Sequence, residues 1–155
     1  NIKNNNKSIL EYKDCNKLNK EEFFSIKNDI TIPAALELQI DKNIAQNMRT
    51  KLIVEAANGP IDFEADNILY DNNIMVIPDI LANSGGVITS YYEWLQNIKS
   101  KKWSKKKINH KLKNKMDKNF ERVYDKFLKN NISFRNTCYV DSLDNIYSSY
   151  QKNIK

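Results

Sequence analysis

A chain of 155 residues, 41% of them hydrophobic, is long enough for one compact domain and too short for two. Its 25 basic against 19 acidic side chains give a net charge of +6 and a pI near 9.2. That balance admits an anionic partner, yet a coding bias toward Lys and Asn would produce the same excess with no function. No apolar run approaches the roughly 20 residues that a helix needs to cross a bilayer, so no membrane partner is expected. Cys15 and Cys138 lie far apart and match no metal-ligand spacing. A reduced, intracellular setting, the cytoplasm by default, and no bound metal are therefore expected. Because the first residue is Asn1 rather than Met, the chain is expected to be a piece of a longer polypeptide, with any organellar leader unread.

Residues 1–18 open on the polar, low-complexity NIKNNNK and are expected to be poorly ordered. Asn19 and Glu22 have the spacing of a capping box, followed by Phe23, Phe24 and Ile26 on one helical side. Three β-branched runs follow: Ile30-Thr31-Ile32, Leu52-Ile53-Val54 and Ile74-Met75-Val76-Ile77. None alternates with polar residues, which predicts parallel strands buried on both faces. The intervals 34–49 and 60–72 are long enough for right-handed helical crossovers. Beyond the third strand, Ser90 to Ile98 reads as helical. Ser104 is placed to cap a further helix carrying Ile108, Leu112, Met116, Phe120, Val123 and Phe127 on one face. Tyr139, Val140, Leu143, Ile146, Tyr147 and Tyr150 share helical spacing and predict a last helix. The pattern divides the chain into a lead-in (1–18), an α/β domain (19–98) and a helical segment packed on it (99–155).

Pro33, Pro60, Pro78, Gly59, Gly85 and Gly86 all fall at, or just beyond, the carboxyl end of a predicted strand. Ligands bind at that edge in open α/β sheets, because the loops there converge on a crevice. Asn58 and Asn83 are the amides on the same edge, each with a donor and an acceptor for a ribose hydroxyl or an amide. Either is equally suited to forming a turn. Ser90 lies near a predicted helix start, where its hydroxyl and backbone N–H groups suit a carboxylate, or a plain N-cap.

TIPAALELQI, EAANGP followed by EAD, VIPDILANSGGV and SYYEW occur in that order, and together they resemble the cofactor domain of glutamate dehydrogenases. The resemblance runs from about Glu21 to Tyr150, and the leucine, phenylalanine and valine dehydrogenases share the Asn-(Ala)-Gly-Gly-Val run but not the block that SYYEW resembles. It implies an α/β fold: the second half of a Rossmann-like doubly wound parallel sheet, followed by C-terminal helices. It implies oxidative deamination of L-glutamate to 2-oxoglutarate and ammonia with hydride transfer to NAD or NADP, the motifs being more similar to NAD-using or dual-specificity members. Ala34, Ala35, Ala57, Asn58 and Asn83 match cofactor-binding positions. Asn83, Val87 and Ser90 match substrate-binding positions, with Ser90 at the γ-carboxylate. The resemblance further implies that Gly85 and Gly86 let backbone pass close to nicotinamide and substrate. Four departures stand out: Ala56 replaces a glycine, Ser84 an alanine, Phe63 a proline and Cys138 a small residue.

The chain has no G-x-G-x-x-G turn, and neither the family's catalytic lysine nor its aspartate has a counterpart here. No catalytic residue is therefore assigned, and residues 1–155 alone are expected to be inactive. The partners implied are glutamate, an N-terminal substrate domain and further copies in a hexamer. Two alternatives stay open: an inactive truncated α/β domain, and a basic nucleic-acid-binding module built on KSKKWSKKKINHKLKNK, which contains His110.

Overall fold

The computed structural model describes residues 15–153. Most of the expected lead-in therefore lies outside the described residues, and 15–18 carry no helix or strand. The helix α1 (Lys20–Ser25) opens with the predicted capping box. Asn19 Oδ1 accepts from the Glu22 N–H at 2.7 Å, and the Glu22 carboxylate accepts from the Asn19 N–H at 2.9 Å.

The three β-branched runs form the parallel strands β1 (Ile30–Thr31), β2 (Leu52–Val54) and β3 (Met75–Ile77), in the order β1-β2-β3. Parallel neighbours need a crossover connection, and α2 (Lys42–Asn47) and α3 (Phe63–Asp71) lie within the two crossovers. Asp41 and Asp62 cap them, their carboxylates accepting from the N–H groups of Ile44 and Glu64. Phe63, where the family has proline, sits at the first position of α3 and is 83% exposed. Its side chain is not part of the core.

One face of the sheet is closed. Ile44, Ala45 and Met48 at α2, and Ala65 and Leu69 from α3, pack with Ile53, Val76, Ile40, Ile61 and Ile74, none more than 9% exposed. Register explains the pairing, because Ile53 stands beside Val76 on that face while Leu52 and Met75 point away.

The other face corrects the expectation of strands covered on both sides. Here Ile30 is 55% exposed and Met75 37%. Among the described residues, cover comes near the end of β3, where Ile77 packs with Leu81, Val123, Phe134 and Cys138. That cover is built from α4 (Asp79–Ala82), α6 (Lys105–Phe127) and α7 (Phe134–Asn153), while α5 (Gly85–Ile98) packs on α6. Ser104 caps α6 as predicted, accepting from the Lys107 N–H.

The last helix requires a second correction. Its buried positions are Phe134, Thr137, Cys138 and Asp141, while Tyr139, Val140, Leu143, Ile146, Tyr147 and Tyr150 are all at least 45% exposed. The segment is helical as its spacing predicts, but it buries a neighbouring face. Asp141 tolerates burial because Arg122 Nη2 and Lys126 Nζ reach it at 2.8 and 3.0 Å. Hydrogen bonds from Arg122 hold its carboxyl below the usual range; burial opposes them and Lys126 assists. Beside it, burial and the Asp141 charge push the Cys138 thiol up to about 12, so it is an inert core residue.

Candidate functional site at the carboxyl edge of the sheet

The loops after the three strands are stitched to one another by backbone and side-chain hydrogen bonds. After β1, the Pro33 carbonyl accepts from the N–H groups of Ala56 and Ala57 at 3.1 and 2.9 Å. The Gly59 and Pro60 carbonyls accept from Leu38 and Ile40, both at 2.9 Å. Gly59 has φ +52°, a conformation that costs glycine little. Ala56 is absent from the positive-φ residues, so its methyl replaces a family glycine without backbone strain.

Asn58 and Asn83 meet across these loops. The Asn83 amide donates to Asn58 Oδ1 at 2.7 Å and lies 3.5 Å from the Ala56 carbonyl. The bond to Asn58, with the longer contact to Ala56, joins the loop after β2 to the end of α4. It also orients Asn58 Nδ2 and Asn83 Oδ1, one donor and one acceptor, as groups this bond does not use. Ala57 is half-buried beside them, and Ala34 and Ala35 are exposed on the loop tied through Pro33. These two alanines also line an open groove of about 850 Å³ with Ile30, Ile32 and Phe23.

Val87 and Ser90 lie on α5, the helix that follows Asn83. Val87 is 71% exposed. Ser90 corrects an expectation, since α5 begins at Gly85 and Ser90 is within the helix rather than at its start. Its backbone N–H is therefore not a free terminal donor. Its hydroxyl donates to the Gly86 carbonyl at 3.1 Å and keeps its lone pairs exposed. Gly85 and Gly86 are helical with no positive φ. A methyl on Gly86 would meet nothing within 4 Å among the described residues outside its own helix backbone. The space before it is open.

Residue-type reasoning missed the ion cluster beneath the edge. Glu55, at 0% exposure, directly follows β2, and Arg135 of α7 holds it with Nη2–Oε1 and Nη1–Oε2 distances of 2.7 and 3.0 Å. Arg135 Nε donates to Asp66 at 2.9 Å. Burial works against the Arg135 charge, but Glu55 and Asp66 outweigh it and its pKa is raised. One signal was available: Arg49, Arg122 and Arg135 are the only arginines among 25 basic residues. A planar, bidentate fork is what a buried carboxylate selects over lysine.

The basic stretch after α5 does not present its aromatic ring as a stacking platform. Trp103 packs against Tyr92 at 5.8 Å, and Lys107 and Lys111 lie over its ring at 5.2 and 5.1 Å. His110 is exposed, with a ring nitrogen 3.0 Å from the Asn114 amide.

Comparison with known proteins agrees with this geometry. The family model for glutamate/leucine/phenylalanine/valine dehydrogenases matches residues 1–153. An NAD-specific glutamate dehydrogenase of Clostridioides difficile is 37% identical over 139 residues, 90% of this chain and 33% of that protein. NAD-specific glutamate dehydrogenase A of Halobacterium salinarum is 39% identical over 134 residues, 86% of this chain and 31% of its own length. The crystal structure of glutamate dehydrogenase from Peptoniphilus asaccharolyticus superposes with a TM-score of 0.73 at 36% identity, covering 79% of this chain and 31% of that one. The chain thus spans about a third of the length of the relatives it matches. With the parallel sheet, the stitched carboxyl edge and a match along its length in agreement, the chain belongs to the glutamate/leucine/phenylalanine/valine dehydrogenase family.

Proposed function

We propose that this chain is the part of a glutamate dehydrogenase that faces the nicotinamide and the substrate. The polypeptide containing it would oxidise L-glutamate to 2-oxoglutarate and ammonia, passing hydride to NAD or NADP. The observation that carries the reading is the Asn58–Asn83 bond at the carboxyl edge, the edge where open α/β sheets bind ligands. NAD is favoured because the relatives named above are NAD-specific.

In this reading Asn58 and Ala57 meet the nicotinamide ribose, and Ala34 and Ala35 line the dinucleotide. Asn83 orients nicotinamide and substrate. Val87 walls the substrate side chain, and Ser90 donates to its γ-carboxylate by swinging away from the Gly86 carbonyl. The open space before Gly86 admits the reacting groups. The cofactor supplies the hydride chemistry; these side chains position and exclude water. The catalytic lysine and aspartate come from a substrate domain outside this sequence, and the assembly is a hexamer, as in the hetero-hexameric enzyme of Thermus thermophilus.

The test uses the full polypeptide. Ser90→Ala should raise the KM for glutamate about 10- to 100-fold, the range for losing a hydrogen bond to a charged group, with the KM for NAD unchanged. Asn83→Ala should lower kcat. Absence of glutamate-dependent reduction of both NAD and NADP, or an unchanged glutamate KM in Ser90→Ala, contradicts the reading.

A further inference from the structure

Between the core and the edge lies a relay of polar contacts that starts on α7. Arg135 grips both oxygens of Glu55. Glu55 Oε2 also accepts from the Asp79 N–H at 2.7 Å. The first N–H groups of a helix have no intrahelical acceptor, so this bond fixes where α4 begins. Asp79 in turn uses Oδ2 to accept from the Gly59 N–H at 2.8 Å and Oδ1 from the Ile80 N–H at 2.6 Å. Gly59 follows Asn58, and α4 ends next to Asn83, so both ends of the asparagine pair are tied to one carboxylate network.

We infer that Arg135 and Glu55 are positioning residues that set the spacing between the Asn58 loop and Asn83. The inference rests on the glutamate dehydrogenase reading for its kinetic consequence and on geometry alone for its structural one. A guanidinium holds Glu55 in one orientation through two parallel bonds, whereas an ammonium is a point charge that lets the carboxylate rotate. Rotation of Glu55 removes the acceptor of the Asp79 N–H and frees α4 to shift. Small displacements of positioning groups cost as much as a hundredfold in rate.

The experiment compares Arg135→Lys with Arg122→Lys in the full polypeptide. Arg122 makes the same kind of pair with a buried acid, Asp141, and its hydrogen bonds among the described residues go to Asp141 and Asn119 rather than to α4. In Arg135→Lys, kcat should fall about tenfold or more, and amide hydrogen exchange at Gly59 and Asp79 should quicken about tenfold, with β2 amides unchanged. Arg122→Lys should lower Tm while leaving kcat and those two amides as they were. Should Arg135→Lys fail to fold, Glu55→Gln keeps an acceptor for Asp79 and should show the same pattern in weaker form. Unchanged exchange at Gly59 and Asp79, or equal effects from Arg122→Lys, overturns the inference. A polypeptide with no glutamate-dependent rate sinks the functional reading separately, and the exchange measurement still decides the positioning.

Discussion

The two sides of this molecule treat apolar residues in opposite ways. Under α2 and α3, Ile40, Ile53, Ala65 and Leu69 are fully enclosed. Along α5, Val87, Tyr91, Trp94 and Ile98 form a stripe at helical spacing that is more than half exposed throughout, and α7 carries a second one. Ala65 and Leu69 of α3 have the same helical spacing as the α5 stripe. The period reports that a face is apolar, not which partner covers it. An exposed stripe of this extent marks an interaction surface.

The comparison is broken most easily by truncation on each side. Ile53→Ala, under the crossover helices, should cost about 2–5 kcal/mol in denaturant unfolding, whereas Ile146→Ala on the α7 stripe should stay within about 0.5 kcal/mol in the isolated chain. Equal costs would mean that the stripe is covered by this chain itself.

Asp141→Asn probes the buried carboxylate of α7. Because Arg122 and Lys126 reach solvent, the loss should be about 1–2 kcal/mol, between surface and fully buried pairs. The folded-state pKa lies below the ordinary 3.8, so the contribution is complete above that value and disappears as pH falls through the lower one. Wild type and variant should therefore converge in acid; a gap independent of pH would remove the charge explanation.

The smallest effect belongs to Leu38, which holds φ +51° while 61% exposed. β-Carbon crowding makes that conformation costly, and asparagine tolerates it better. Leu38→Asn should raise stability by up to about 1 kcal/mol, and a loss would show that the leucine side chain has a role in packing.

The strands, caps and long helices were legible because each rests on local chemistry: β-branched runs, Asn19 with Glu22, and Ser104 before α6. The edge was legible from its punctuation, and Asn58 and Asn83 prove to be bonded. What was not legible depends on distant pairing. Glu55 and Arg135 are 80 positions apart, and no period or spacing links them. Ser90 was misplaced as a helix start because two glycines look like a break, yet Gly85 and Gly86 form the first turn of α5. Glycine lowers helix propensity, but packing by α6 overrides it, with Leu112 Cδ1 placed 3.7 Å from where a Gly85 methyl would stand.

The most direct test measures glutamate-dependent NAD reduction by two proteins side by side: the full polypeptide and residues 1–155 alone. Turnover is expected from the first and none from the second, because in the proposed function this chain contributes one side of the cleft and the catalytic lysine lies in the substrate domain. Turnover by residues 1–155, or none by the full polypeptide, would contradict it.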